Sequence, residues 1–311
     1  MSLTDKIFVL LGKHVTRDVR GLNARLHFFG SVPVDDGAPF PSSGPRANEP
    51  LQQEEVAVAR PTVVALVSAN GGVGRSTLVT ALSSGMQRLG ESVVALDLDP
   101  QNALRHHFGV SASLPGIGRA SLLNTPWVQI LQPGFAGCRV IPFGDIDTQQ
   151  QENLQGWLKR EPGWLAQQLS GLRLSERQTV IIDTPAGNNV YFDQALSVAD
   201  VVLVIAKADA ASLATLDQLD RLLAPHLARE GPPQVRYVLN QLDEDDAFTL
   251  DMLEAFKQRL GAKPPLEVHR DRAISEALAF GVDPLDSQAL TLAGDDIDAL
   301  CRLLIARKKS L

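Results

Sequence analysis

Ala69-Asn70-Gly71-Gly72-Val73-Gly74-Arg75-Ser76-Thr77 decides how the rest of the chain is read. It follows Thr62-Val63-Val64-Ala65-Leu66-Val67, an apolar, β-branched run with the composition of a buried strand. It leads into a stretch where Leu78, Leu82, Met86 and Leu89 recur at helical spacing. Strand, glycine loop, helix is the setting in which such a loop binds phosphate. Gly71, Gly72 and Gly74 permit backbone conformations that a side chain would block, so successive N–H groups can converge on one anion. The positive end of the helix dipole then stands behind the phosphates. Ser76 offers a hydroxyl to Mg²⁺, and Thr77 offers a second one to the phosphates. The general nucleotide-loop pattern has Lys where this chain has Arg75, a bulkier and forked cation.

Composition sets the outer bounds. With 311 residues, 44% apolar and 21% charged, the chain can bury one large core with an appendage. A net charge of -7 weighs against a protein that lives on nucleic acid. Cys138 and Cys301 lie far apart and suit a reducing cytosol, as small buried residues without disulfide or zinc. The first residues lack the basic start and apolar segment of a signal peptide, and no apolar run reaches the roughly 20 residues of a membrane span. The expected location is the cytoplasm, with peripheral contact at the inner membrane as a variant.

Along the chain three textures follow one another. Residues 1–30 carry an apolar stripe, Ile7, Leu11, Val15, Val19, Leu22 and Leu26, with a basic polar side. This amphipathic appendage suits either a partner or an anionic membrane surface, or packing on its own domain. Residues 31–60 are rich in Pro, Gly and Ser and read as a linker. The folded domain is expected over 61–311. Strands are expected at Ser92 to Leu96, Cys138 to Pro142, Thr179 to Asp183, Val201 to Ile205 and Val235 to Asn240. Helical patterns cover Gln149 to Leu172, Tyr191 to Val198, Ser212 to Leu227 and Phe248 to Leu260. Continuous apolar strands alternating with helices predict an α/β fold, a mainly parallel sheet with helices on both faces.

Strand ends bring further chemistry to the glycine loop, since ligands bind at the carboxyl ends of a parallel sheet. Asp183 ends one strand and precedes Thr184-Pro185-Ala186-Gly187. A carboxylate there can hold Mg²⁺ through a water, and the segment after it can respond to the γ-phosphate. Asp97 and Asp99 follow the neighbouring strand, where a carboxylate can orient the attacking water. The competing role for each is a turn or a helix cap.

Asn-Gly-Gly-Val-Gly-Arg-Ser-Thr, Asp97-Leu98-Asp99-Pro100-Gln101 and Asp183-Thr184-Pro185-Ala186-Gly187 resemble the deviant Walker A, switch I and switch II of the ParA/MinD ATPases. The resemblance implies a P-loop NTPase fold, ATP and Mg²⁺ as ligands, and a homodimer closed across ATP. It implies nucleotide contacts along Gly71, Gly72, Val73, Gly74, Arg75, Ser76 and Thr77, with Asn240 reading adenine. It also implies Ser76 and Asp183 as magnesium ligands, and Asp99 with Arg75 as the catalytic pair. Gly90 to Asp97, Asn102 to Val110, Ile141-Pro142-Phe143-Gly144, Gln151-Glu152-Asn153 with Trp157, and His269-Arg270-Asp271 before Glu276 are similar to the BcsQ branch, the ATPases of bacterial cellulose operons. That branch implies a cytoplasmic accessory protein of cellulose synthesis and secretion, working with a small partner subunit of the operon and the cellulose synthase complex.

Two positions depart from the pattern. Asn70 stands where the deviant Walker A has its signature Lys, and Arg75 stands where the general Lys would be. Asn70 donates a hydrogen bond but neutralises no charge, so the expectation is ATP binding with slow or absent hydrolysis. A partitioning ATPase and a scaffold that holds ATP without cycling share the motifs and stand as alternatives. A nitrogenase-type reductase would need cluster cysteines that Cys138 and Cys301 do not supply. Ile297, Leu300, Cys301, Leu304 and Ile305 form a C-terminal stripe beside Arg302, Arg307, Lys308 and Lys309. This is either the last helix of the domain or a membrane-targeting tail.

Overall fold

The computed structural model describes residues 60–286 and 291–308. The appendage expected over 1–30 and, apart from Arg60, the linker over 31–60 lie outside the described residues. From Arg60 onward the chain alternates strand and helix. The first half runs β1 (Thr62–Val67), α1 (Arg75–Arg88), β2 (Ser92–Asp97), α2 (Ala103–His107), α3 (Ile117–Leu122), β3 (Gln132–Pro133) and β4 (Arg139–Ile141). Next come α4 (Thr148–Leu158), α5 (Trp164–Gly171), β5 (Gln178–Asp183), α6 (Val190–Val198) and β6 (Val201–Ala206). The last part holds α7 (Ala210–Ala214), α8 (Leu216–Leu227), β7 (Gln234–Leu242), α9 (Ala247–Leu260), β8 (Leu266–His269), α10 (Arg272–Ala279) and α11 (Leu292–Lys308).

The eight strands form one sheet in the order β3-β4-β2-β5-β1-β6-β7-β8. Every pairing is parallel except that of β3 with β4. The expected mainly parallel α/β sheet is therefore present, with an antiparallel edge. Alternate residues of each strand point to opposite faces, and both faces are apolar. Val63, Ala65 and Val67 share one face with Leu154, Trp164, Phe192 and Leu219. Val64 and Leu66 share the other with Leu78, Leu82, Met86 and Ile297. The fork of Arg60 grips Asp200, and the same carboxylate accepts from the Val63 N–H at 2.8 Å, fixing the start of β1 beside β6.

The helical region expected from Gln149 to Leu172 is two helices broken at Glu161-Pro162-Gly163, and the one expected from Ser212 to Leu227 is divided at Thr215. β3, β8, α2, α3 and α10 went beyond the sequence expectation. They are short, and periodicity needs length to show.

The C-terminal stripe has an occupant. Ile297, Leu300, Cys301 and Leu304 are buried against α1. Gly85 lets the two helices meet, since a Cβ there would stand 2.8 Å from Cys301 Sγ. The described part of α11 is thus a core helix, and the apolar face that a membrane-targeting tail would insert is spent inside the domain. Cys138 and Cys301 are both free and buried in this layer, and burial pushes each thiol up to about 12. Among the described residues no helix is long and apolar enough to cross a membrane.

The outer strand β8 is pinned to α11 by one imidazole. His269 Nδ1 lies 2.7 Å from Asp296 Oδ2, which also accepts from the His269 backbone N–H at 2.9 Å, and Nε2 lies 3.2 Å from Glu244. Burial opposes the charged ring, but the two carboxylates outweigh it and hold its pKa above the ordinary value. A raised folded pKa means stability that is complete below the unfolded value of about 6.5 and fades as the pH climbs through the folded one. Thermal melts near pH 6 and pH 8 should therefore show the wild type losing about 1 kcal/mol across that interval and Asp296→Asn losing much less. Equal losses in the two proteins would remove the pair from the account.

Candidate functional site

The site is assembled where β1, β2, β5 and β7 end. The loop between β1 and α1 places Gly72 (φ 71°) and Gly74 (φ 85°) in the left-handed region. Gly74 is required twice over, by its φ and by contact, because a Cβ there would collide with the Asn240 amide and stand 3.0 Å from Gln241 Nε2. Gly71 and Gly72 are exposed, Val73 is buried, and Ser76 and Thr77 are half-buried on the first turn of α1. A hollow of about 220 Å³ lies over the loop, lined by Gly72 to Thr77 together with Ala103 and His107 of α2.

Asn240 is buried and its amide Nδ2 donates to the Val73 carbonyl at 2.8 Å, so the end of β7 is fastened to the glycine loop. Its neighbour Gln241 has φ 59°, at the point where the β7–β8 register skips from Asn240 opposite Val268 to Leu242 opposite His269. Beyond this irregularity opens a cleft of about 290 Å³ whose walls include Thr77, Asn240, Gln241, Arg270 and Asp271. The loop hollow and this cleft share Thr77.

The charged centre lies on the other side of the loop. β2 and β5 are adjacent and in register, with Asp97 opposite Asp183. Both side chains are fully buried, and Asp99 is 8% exposed. Asp97 accepts from the backbone N–H of Asp99 at 2.9 Å and of Leu104 at 3.1 Å, so it shapes the turn after β2 and holds α2 in place. Burial and the nearby Asp183 raise its pKa well above the carboxylate range. Asp99 Oδ1 accepts from the Gln101 N–H at 2.9 Å, leaving Oδ2 to face the loop.

Arg75 faces these carboxylates. It is 8% exposed, with Nε 3.3 Å from Asp183 Oδ1 and Nη2 3.3 Å from Asp99 Oδ2, while Nη1 donates to Ser68 Oγ. Ser68 Oγ in turn donates to the Asn70 carbonyl at 2.8 Å. The cation expected to lean over phosphates instead bridges the ends of β2 and β5. Burial lifts the Asp183 carboxyl to about 6, against the pull of Arg75 and of the Ser76 hydroxyl. Its Oδ2 is buried with no hydrogen-bond partner among the described residues. Such an orphaned oxygen beside a serine hydroxyl has the chemistry of a site for a hard cation. No group of three or more His, Cys, Asp or Glu side chains able to cage a metal occurs among the described residues.

Two further segments complete the rim. Thr184 Oγ1 donates to the Leu66 carbonyl at 2.8 Å and the Gly187 N–H to the Ser68 carbonyl at 2.9 Å, so the segment after β5 rides on the end of β1. Asn189 accepts from the Phe192 N–H at 2.9 Å and caps α6. Asn70 Nδ2 reaches Thr215 Oγ1 at 3.4 Å, a contact within its own chain. Ser68, His107 and Gln241 also reach the site, and none belongs to a motif that marks it for a role. His107 Nδ1 lies 3.2 Å from Thr80 Oγ1, and burial lowers its pKa, so the ring at the hollow is neutral at pH 7. Its spacing from Asp97 carries no signal, because only the turn after β2 brings it back over α1.

Known proteins share the family and the fold of this chain. The chain is 28% identical over 237 residues to the cellulose biosynthesis protein BcsQ of Salmonella typhimurium, covering 76% of this chain and 90% of that one. It is 27% identical over 267 residues to the chromosome partitioning protein ParA of Caulobacter vibrioides, covering 79% and 95%. The septum site-determining protein MinD of Pyrococcus horikoshii, solved as its Mg-ADP complex, superimposes with a TM-score of 0.63 at 18% identity, covering 80% of this chain and 98% of MinD. The family described as cellulose biosynthesis protein BcsQ matches residues 62–303, and the chain belongs to that family.

Proposed function

We propose that this chain is a nucleotide-dependent accessory ATPase of bacterial cellulose synthesis and secretion, which binds Mg-ATP between two copies of itself with slow or absent hydrolysis. The observation that carries the reading is the junction of the glycine loop with Asp99 and Asp183 through Arg75. The hollow over Gly72 to Thr77 takes the phosphates on backbone N–H groups and the α1 dipole. The cleft beside Asn240 takes the base, with the Asn240 carbonyl as its polar edge once the amide nitrogen is held by Val73. Ser76 and Asp183 hold the magnesium ion, whose charge offsets that of the phosphates. Asp99, at the start of the segment after β2, orients the water.

Slow turnover follows from where the cations are. Asn70, at the position of the signature Lys, carries no charge and is turned onto Thr215. A phosphoryl-transfer site short of that second cation lacks part of the means of stabilising transition-state charge. Nucleotide binding instead changes the segments after Asp99 and Asp183, which presents or withdraws a surface for a small subunit of the cellulose operon and the synthase complex. A peripheral contact with the inner membrane and the roles of 1–30 and 31–60 belong to the same proposal: the appendage docks the domain and the linker gives it reach. The similarity to ParA keeps a partitioning role as the second reading, and the acidic balance of the chain favours the first.

Analytical ultracentrifugation with Mg-ATP, Mg-ADP and no nucleotide checks the switch. A dimer confined to Mg-ATP is expected; ATP bound at constant mass would favour a scaffold, and no bound nucleotide would sink the proposal. Steady-state phosphate release should stay below about 1 s⁻¹, the lower edge of ordinary kinase turnover. In Gly74→Ala the left-handed φ and the contact with Asn240 should lower stability by about 1–3 kcal/mol and abolish nucleotide binding in calorimetry. Retained affinity in that variant would show that the base and phosphates bind elsewhere.

A further inference from the structure

Arg75 invites a question that the family pattern does not answer: what neutralises Asp99 and Asp183 before nucleotide arrives. The guanidinium stands 3.3 Å from an oxygen of each, 8% exposed, and its third nitrogen is tied to Ser68. A planar fork can bridge two carboxylates from adjacent strands in a way a compact ammonium cannot. The site thus holds its own cation on Asp183 Oδ1 and Asp99 Oδ2, directly beside the unpartnered Asp183 Oδ2 that a divalent ion would need. A metal entering this arrangement would meet a like charge at contact distance, in a buried setting where such repulsion is weakly screened.

We propose that Arg75 is a built-in counter-ion of the Asp99–Asp183 pair, so that a divalent cation enters this site only after nucleotide has drawn the guanidinium away. The inference rests on the nucleotide-binding reading above. Arg75 is the first residue of α1 and lines the phosphate hollow, so its backbone stays in place while its side chain exchanges partners. A triphosphate in the hollow offers a stronger, bidentate anion than either carboxylate. Once the fork turns to it, Asp99 and Asp183 lose their cation together, and a divalent ion can settle at Asp183 and Ser76 while Asp99 is freed to orient water. The order is nucleotide first, metal second. Because the fork also holds Ser68, and Ser68 the Asn70 carbonyl, the same exchange releases the start of the loop.

The test is Mn²⁺ binding followed by electron paramagnetic resonance on the full chain, with and without a non-hydrolysable ATP analogue. Wild type should bind Mn²⁺ about tenfold or more tightly with the analogue than without it, a modest share of what one unit charge at contact distance is worth. Arg75→Gln, which keeps a side chain but removes the charge, should bind Mn²⁺ in the absence of nucleotide, and Mn²⁺ should raise its melting temperature but not that of wild type. Adding Asp183→Asn should abolish that binding. Equal Mn²⁺ affinity of wild type with and without the analogue would overturn the proposal, as would analogue bound without Mn²⁺ uptake. Should Arg75→Gln fail to fold, Arg75→Lys takes its place: a compact ammonium cannot bridge both carboxylates, so without nucleotide that variant should bind Mn²⁺ more tightly than wild type, and equal binding would overturn the proposal. If wild type binds no analogue at all, by calorimetry on the same sample, the nucleotide-binding reading falls and this inference falls with it.

Discussion

Two buried carboxylates at the ends of neighbouring strands are the constraint around which the rest of the site is arranged. Asp97 and Asp183 sit opposite one another in the β2–β5 register with no exposure, and Asp99 is close behind. Removing such charges from water costs several kcal/mol each unless they are paired or hydrogen-bonded. The chain answers differently for each. Asp97 is met by two backbone N–H groups and a raised pKa, so it serves the fold. Asp99 and Asp183 are met by Arg75, so their cost is offset by a group that can move.

The sheet order explains why one side chain can reach both. β1 lies between β5 and β6, and β5 lies between β1 and β2. A residue just past the end of β1, at the start of α1, is therefore one strand from Asp183 and two from Asp99. The same placement lets the segment after β5 lean on β1, through Thr184 with Leu66 and Gly187 with Ser68. The glycine loop, the turn at Asp99 and the segment after Asp183 are joined through Arg75 and Ser68. A ligand that changes Arg75 acts on all three at once, which is the physical content of a switch.

Much of this was legible in the sequence. The strands β1, β2, β5 and β6 are continuous apolar runs bounded by polar residues, and a run buried on both faces can be read without a partner. The glycine loop announced itself by composition, and Asp183 and Asp99 by their place after strands. Direction was not legible. Position 75 tells that a cation opens α1, but whether it leans to the phosphate hollow or back to the carboxylates depends on Asp99, Asp183 and Ser68, which only the fold brings together. The C-terminal stripe had the same ambiguity, since a periodic apolar face does not name what covers it; the answer was Leu82, Met86 and the small contact at Gly85. Gln132–Pro133 and Leu266–His269 were too short to carry a period, and the left-handed Gln241 has no signature of its own.

The two departures from the deviant Walker A belong together in physical terms. A loop with two lysines carries two mobile positive charges beside its ligand. Here one position is the neutral Asn70, engaged with Thr215, and the other is Arg75, engaged with Asp99 and Asp183. Both side chains are turned into their own chain, and what the loop presents outward is backbone N–H and the positive end of α1. Backbone N–H groups and the helix end bind a phosphate and steady its charge, and a side-chain cation adds a full unit charge to that. A loop built this way keeps a backbone cradle for phosphate and carries one fewer side-chain cation than a loop with two lysines.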